Sequence, residues 1–357
     1  MNHSLKAKTV LITGGTGSWG QELVSQILRN HEPSEVRVYS RGEHKQVDMR
    51  RRFPDSRLRF FVGDVRDKTR ISFVMRGVNT VFHLAAMKHV PVCEENPWEA
   101  VQTNIIGTQN VVEAAIINNV EKAVYVSSDK AVDPFNLYGA TKSCGEQLFL
   151  DGNTHHTTQF VSVRAGNVIG SAGSVVPLFS EQIRTTNALT LTDERMTRFF
   201  MKIQDAILLL LKAAQESVGG EILVMKMPAC KIADVARVFK ARLGNLKTKI
   251  TMIGVRPGEK LFEALVSSHE IPHTYDLGQY YVILPRSKFN GAKRFDHYRA
   301  YPKTLTQEYR SGTTEQLDHA HIEQLLEETG WLDARNVKLK PSVYRVNKHS
   351  QRIKIKN

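Results

Sequence analysis

Tyr138 and Lys142 stand four residues apart in a stretch, residues 138–150, whose apolar spacing predicts a helix, so both side chains face the same way. That spacing has a chemical use. A lysine ammonium beside a phenol favours phenolate, and a phenolate at Tyr138 takes the proton of a substrate hydroxyl while a nicotinamide takes hydride from the same carbon. A Tyr-xxx-Lys pair is common by chance, but this one follows a predicted strand ending at Ser127-Ser128, whose hydroxyls can orient the proton transfer. Asp129-Lys130 comes next. In isolation it reads as an ordinary charged pair in a loop, yet loops at the carboxyl ends of parallel strands are where ligands bind in such an architecture.

A second set of residues suits a dinucleotide. Thr13-Gly14-Gly15-Thr16-Gly17-Ser18-Trp19-Gly20 follows the first predicted strand and runs straight into a helical pattern. Glycine lets the backbone turn tightly and approach a pyrophosphate, which then rests on the amides and positive end of the helix. A glycine triplet alone is weak; the strand before it and the helix after it supply the context. The second predicted strand ends in Val38-Tyr39-Ser40-Arg41, so the acidic residue that binds the ribose of NAD, about twenty positions on, is missing. Arg41 stands there instead, with Lys45 one helical turn later. A guanidinium matches phosphate oxygens in a bidentate way, so the expected cofactor is NADP. Gly63-Asp64-Val65 after the third strand and His83-Leu84-Ala85-Ala86 after the fourth fall where the adenine and the middle of the cofactor would lie.

These residues need a scaffold that gathers strand ends. Apolar, β-branched runs at residues 9–12, 36–39, 58–62, 80–84, 123–126 and 160–163 alternate with helical patterns at 21–28, 101–118 and 138–150. That is the βαβ rhythm of an α/β protein with a Rossmann-type, doubly wound parallel sheet. From about residue 166 the rhythm breaks into loops, a helix at 205–214, a strand at 221–224 and a helix at 232–243. The expected organisation is an NADP-binding Rossmann domain over residues 1–165, with later segments free to return to it. A smaller C-terminal substrate-binding domain follows over 166–335, then a basic tail over 336–357.

Composition narrows the class. A chain of 357 residues with 41% hydrophobic content can bury a large core, so disorder is not the default. No apolar run approaches the roughly 20 residues of a membrane span, and the first residues lack a signal stretch, so an unexported, cytoplasmic protein is expected. Cys93, Cys144 and Cys230 form no CxxC pair, which argues against a disulfide framework or zinc site; no metal is expected. The net charge of +13 favours an anionic partner: nucleic acid, a membrane surface or a phosphorylated small molecule. Seven of the basic residues, from Lys338 to Lys356, fall in the last twenty positions and read first as a solvated tail, second as a docking arm.

Together, the glycine turn, Asn104 in Asn104-Ile105-Ile106-Gly107, and Tyr138-xxx-Lys142 resemble the extended short-chain dehydrogenases/reductases. Further segments narrow the likeness. Tyr39-Ser40-Arg41, Met87-Lys88-His89-Val90-Pro91, Ser127-Ser128-Asp129-Lys130-Ala131 and Asn136-Leu137-Tyr138-Gly139-Ala140-Thr141-Lys142 are among them. Arg164-Ala165-Gly166-Asn167-Val168, Met196-Thr197-Arg198-Phe199 and Arg256-Pro257-Gly258-Glu259-Lys260 complete the set. They resemble the inverting UDP-N-acetylglucosamine 4,6-dehydratases of polysaccharide, pseudaminic acid and flagellin-glycan pathways, over roughly residues 8–265.

The resemblance implies a lyase with tightly bound NADP. Tyr138, supported by Lys142, would take the C4 hydroxyl proton as hydride leaves C4. Lys130 would then remove the acidified C5 proton as a neutral amine, which requires a depressed pKa. Asp129, kept protonated, would donate to the departing C6 hydroxyl, and hydride returned to C6 would leave the reaction redox-neutral. Cofactor contacts are implied for Gly14, Thr16, Gly17, Ser18, Trp19, Gly20, Ser40, Arg41, Lys45, Asp64 and Val65. Ala85, Ala86, Lys88, Asn104, Ser127, Tyr138 and Lys142 complete that set. For the sugar nucleotide the resemblance implies Asn167 and Val168, with Arg198 and Arg256 on phosphate, Glu259 on ribose hydroxyls, and Lys88, Thr192 and Met196 as lesser contacts.

The sequence departs from the family at a few places: Ser128 stands where threonine is frequent and Gly42 where aspartate is common, while Tyr138 is methionine in one related branch. The expected partners are a UDP-sugar and copies of the same chain, a hexamer by resemblance, with no nucleic acid. A 4-epimerase, which would need Tyr138 but not Lys130, a product halted at a 5,6-alkene, and a non-catalytic NADP-binding sensor stay open. So does uridine against guanosine.

Overall fold

The computed structural model describes residues 4–154, 157–171, 173–285 and 293–333; the basic tail over 336–357 lies outside them. The strands β1 (Thr9–Thr13), β2 (Glu35–Ser40), β3 (Leu58–Val62), β4 (Thr80–His83), β5 (Lys122–Val126) and β6 (Gln159–Arg164) alternate with helices. Within a nine-stranded sheet they run parallel in the order β6-β5-β4-β1-β2-β3, so the winding direction reverses between β1 and β4. In open α/β sheets, ligands bind at the carboxyl ends of the strands on either side of that reversal. Here β1 delivers the glycine turn to that crevice and β4 delivers Ala85, Ala86 and Lys88.

The central strands β1, β4, β5 and β6 are mostly apolar because both faces are covered. Val10 and Ile12 of β1 share a core with Leu23, Val24 and Ile27 of the helix Ser18–Asn30 and with Leu210 of Ile203–Glu216. Leu11, pointing the other way, packs with Val111 and Ala115 of Gly107–Ile117. Full burial of each such side chain stabilises the fold by about 1.5–3 kcal/mol.

Two features differ from the sequence pattern. The helical run over 101–118 starts earlier and is interrupted: Pro97–Val101 and Gly107–Ile117 flank a π-helical turn at Gln102–Ile106. Pro97 opens it because the first helical position needs no N–H. The π turn sets the Asn104 amide against the Met87 backbone, a tertiary demand that leaves no trace in periodicity. Beyond residue 166, Ile222–Met225 returns to pair parallel with β6, and Tyr280–Ile283 and Thr274–Asp276 extend that edge antiparallel. β6 is buried almost throughout, and an open edge on such a strand would leave its N–H and C=O groups unpaired.

The remaining segments form a second apolar core. Phe179 of Val175–Thr186, Phe239 of Ile232–Leu243 and Leu326 of His319–Glu328 gather around Leu189 of Ala188–Leu191. Among the described residues no helix is long and apolar enough to cross a membrane, and no group of His, Cys, Asp and Glu could hold a metal ion.

Candidate active site

A cleft of about 1090 Å³ runs along the carboxyl ends of the central strands to the second core. Single small-molecule pockets span about 300–1,000 Å³, so this one has room for a cofactor and a second ligand. At one end, Gly14 has φ +66° and a Cβ there would lie 2.9 Å from the Ala85 backbone. Only glycine lets the turn after β1 come up against the segment after β4. The helix Ser18–Asn30 begins at Gly17 with no side-chain cap and no acidic residue in its first turn. Its amide groups and positive end are available to an anion, and Thr16, Gly17, Ser18, Trp19 and Gly20 all line the cleft. This donor set fits a dinucleotide pyrophosphate.

At the end of β2, the Ser40 hydroxyl accepts from Gln46 Nε2 at 3.0 Å. Arg41 is 61% exposed and only 3.9 Å from Asp64, so it can turn to another anion; Lys45 lines the cleft beside it. The Asp64 carboxylate is held by Arg66 at 2.7 Å. Two cations and an occupied carboxylate therefore face the place where a cofactor ribose would lie. Val65, Ala85, Ala86 and Lys88 are also on the cleft wall.

Asn104 is not on it. Its oxygen accepts from Met87 N at 2.8 Å and its nitrogen donates to Met87 O and Thr141 Oγ1, each at 3.0 Å. The expected cofactor contact is corrected: a fully bonded, buried amide stands behind the wall and fixes the segment after β4 to the helix Leu137–Asp151.

The reaction end is built where β5 stops. Ser127 and Ser128 lead into a single turn, Asp129–Ala131, and Asn136 caps the helix carrying Tyr138 and Lys142. Gly139 lets that helix approach: a Cβ there would sit 2.2 Å from the Lys130 carbonyl oxygen. Lys142 Nζ donates to Val126 O at 2.6 Å, and burial, opposed by the Glu146 charge, pushes its pKa down to about 7. Burial raises the Tyr138 phenol, while the Ser128 hydroxyl and the Lys130 charge pull it back. The Ser128 hydroxyl also donates to Asp129 Oδ1 at 2.8 Å.

Lys130 differs from expectation. Burial does lower its affinity for a proton, as would the Arg198 charge, but Asp129 at 3.1 Å and Glu263 at 3.4 Å outweigh both and the net shift is upward. The group rests as an ammonium between two carboxylates, not as a free amine. Asp129 Oδ2 and Glu263 Oε2 are buried without a hydrogen-bond partner among the described residues.

Of the residues expected to meet the sugar nucleotide, Asn167, Val168, Thr192, Met196, Arg256 and Glu259 line the cleft. Arg256 is 3.7 Å from Glu259 and half exposed, and so can receive a phosphate. Thr192 Oγ1 donates to Met196 Sδ at 3.3 Å. Arg198 also lines the cleft. It is buried, its guanidinium donates to the carbonyls of Thr197, Lys260 and Leu261, and its Nε lies 3.6 Å from Glu263. These bonds occupy it in holding the strand Thr197–Met201 to the segment after Glu259. Glu263 itself was missed; the available signal was a second carboxylate four residues beyond Glu259 in the segment bearing Arg256.

A 3-2-1-4-5-6 sheet, a glycine turn and a Tyr-xxx-Lys pair on one cleft are the parts of an extended short-chain dehydrogenase/reductase. Within that class the chain belongs to the polysaccharide biosynthesis protein family, whose pattern matches residues 10–285. It is 46% identical over 286 residues to a UDP-N-acetylglucosamine 4,6-dehydratase (inverting) of Campylobacter jejuni, across 79% of this chain and 84% of that one. A UDP-glucose 4-epimerase of Rickettsia bellii is 42% identical over 326 residues, 89% of this chain and 95% of the relative. The X-ray structure of Pen from Bacillus thuringiensis superposes with a TM-score of 0.85 at 37% identity, over 92% of this chain and 99% of that one.

Proposed function

We propose that this protein is a lyase that performs NADP-dependent 4,6-dehydration of UDP-N-acetylglucosamine with inversion at C5. The product is a UDP-4-keto-6-deoxy-N-acetylhexosamine for surface glycan or nonulosonic acid biosynthesis. The observation that carries this reading is the Asp129–Lys130 pair, 3.1 Å apart, Asp129 buried and Lys130 partly exposed, on the same cleft as Tyr138.

When bound, NADP supplies the hydride chemistry, accepting from C4 and returning to C6. Tyr138 takes the C4 hydroxyl proton; burial holds the phenol above its usual range, and the Ser128 hydroxyl and the Lys130 charge oppose that without outweighing it. The C4 carbonyl then acidifies the C5 proton. Lys130 passes its own proton to Asp129, and the amine so freed takes the proton from C5. Asp129 gives the proton it received to the C6 hydroxyl, which leaves as water; with hydride restored at C6, C5 takes a solvent-derived proton on the face opposite Lys130, and the inverted 6-deoxy product is complete. Arg256 suits the diphosphate and Glu259 the ribose hydroxyls. In this reading residues 1–165, with the returning strands, hold the cofactor and 166–335 hold the sugar, in a cytoplasmic homo-oligomer, a hexamer.

A 4-epimerase is the second reading, favoured by the name of the Rickettsia relative and by the length of the match. It would use Tyr138 and leave Lys130 without a task. Incubating the protein with UDP-N-acetylglucosamine and weighing the product separates the two: dehydration removes one water, and an unchanged mass across UDP- and GDP-hexoses would contradict it.

A further inference from the structure

Four charged or titratable groups face Lys130: Asp129 from its own turn, Tyr138 from the following helix, Arg198 from the strand Thr197–Met201, and Glu263 from the segment leading into Ala264–Val266. The Asp129 and Glu263 side chains are 2% and 3% exposed, so both carboxylates sit where charge is weakly screened. Glu263 Oε1 is 3.4 Å from the Lys130 ammonium and 3.6 Å from Arg198 Nε. Two acids and two cations thus stand together in one cluster at the cleft wall. A buried carboxylate with one oxygen unpartnered costs free energy, and such a cost is retained where the group acts on a neighbour.

We propose that Glu263 is a positioning residue of the elimination: it holds the Lys130 nitrogen against Asp129 and provides the second carboxylate between which the ammonium reforms when the C5 proton is taken. This rests on the reading of Lys130 as the C5 base. The balance is explicit. One proton moves from the Lys130 ammonium to Asp129, leaving amine and carboxylic acid. The amine bonds the C5 proton, the C5–H electron pair becomes the C5–C6 double bond, and the C6–O pair leaves with oxygen. That oxygen takes the Asp129 proton and departs as water. Lys130 is again an ammonium and Asp129 and Glu263 are again carboxylates, the charges with which the site began. Glu263 favours the end of this step, because positive charge grows on nitrogen beside it. Arg198, tied to three backbone carbonyls and 3.6 Å from Glu263, helps to keep Glu263 in place.

Because the working pair holds one mobile proton, its activity is bell-shaped in pH and both limbs belong to the pair. Removing the Glu263 charge weakens proton binding to the pair, so both limbs move to lower pH. The test is the pH profile of kcat/KM for water loss from UDP-N-acetylglucosamine by the holoenzyme and its Glu263→Gln variant. The expected result is displacement of the whole bell downward by about 1–3 units, the range one adjacent charge produces, with a lower maximum. Glu263→Asp keeps the charge at a greater distance and moves the bell the same way by less; it also serves if the glutamine variant does not fold. A 6-deoxy analogue of the substrate, which has no C6 hydroxyl to lose, isolates C4 oxidation, and its rate stays within twofold of wild type. Profiles that keep their limbs in both variants, whatever their height, overturn the role of Glu263. A wild-type enzyme that removes no water overturns the dehydratase reading itself.

Discussion

The side-chain amide of Asn136 donates to the Gly258 carbonyl at 2.8 Å while its oxygen accepts from Gly139 N–H at 2.7 Å. One residue therefore caps the helix that carries Tyr138 and Lys142 and ties it to the loop bearing Arg256 and Glu259. Lys260 strengthens the tie by donating to the carbonyls of Val132 and Asp133. Aspartate caps helices as well as asparagine does but has no donor for Gly258. Asn136→Asp should leave the melting temperature nearly unchanged and raise KM for the sugar nucleotide by about 3–10-fold, the worth of one net hydrogen bond. Equal KM values for variant and wild type would mean the tie does not position the loop.

Arg41 gives a cofactor test. Its side chain is 61% exposed and makes a single 3.9 Å contact with Asp64, so Arg41→Ala disturbs little else. Affinity for NADP should fall by about 10–150-fold, the range of a hydrogen bond to a charged group, with affinity for NAD unchanged. Calorimetric titration with both dinucleotides reads this directly; a parallel loss for both would show that Arg41 does not select the 2′-phosphate.

The sheet was legible because its strands are short apolar or β-branched runs, buried on both faces at the centre, and β1 to β6 begin and end within a residue or two of the pattern. The glycine turn and Tyr138-xxx-Lys142 were legible because backbone conformation and helical spacing leave marks in residue type. Asn104 shows the limit. A motif fixes that an asparagine is needed, not whether its amide faces the ligand or the Met87 backbone. Arg198 lines the cleft as expected, but residue type did not show that its guanidinium also bonds the carbonyls of Thr197, Lys260 and Leu261. The upward shift at Lys130 depended on Glu263, far along the chain, whose approach is set by the return of the segment before Ala264–Val266.

His83 couples the sheet to pH. It is fully buried, its Nδ1 is 2.7 Å from Thr13 Oγ1 and its Nε2 is 3.1 Å from Thr108 Oγ1. Burial, helped by the Lys142 charge, pushes its pKa down from 6.5 to about 3. The folded chain holds the imidazole neutral while the unfolded chain protonates it. Its contribution to stability is therefore complete above pH 6.5 and is lost as the pH falls toward 3. Denaturant unfolding at pH 7 and pH 4 should lose on the order of 3 kcal/mol through this group. His83→Gln should show a correspondingly smaller pH dependence; an identical loss in the variant would assign the effect to other groups.

Lys130→Ala separates dehydration from oxidation at C4. A positioned general base contributes about 10²–10⁴-fold, so water loss should fall by that factor. Reduction of bound nicotinamide by UDP-N-acetylglucosamine, followed by absorbance in a single turnover, should persist because Tyr138 and Lys142 remain, though slowed by loss of the Lys130 charge that draws the Tyr138 phenol down. Retained water loss would remove Lys130 from the reaction.

Proton NMR of the product formed from UDP-N-acetylglucosamine in D₂O tests the elimination most directly. The expected spectrum is that of a 4-keto-6-deoxy sugar with a C6 methyl group, inverted configuration at C5 and deuterium at C5, since inversion places the new proton on the face opposite Lys130 and that proton comes from solvent. A sugar that keeps its C6 hydroxyl and its C5 proton, changed at most at C4, would contradict the role given to Asp129 and Lys130.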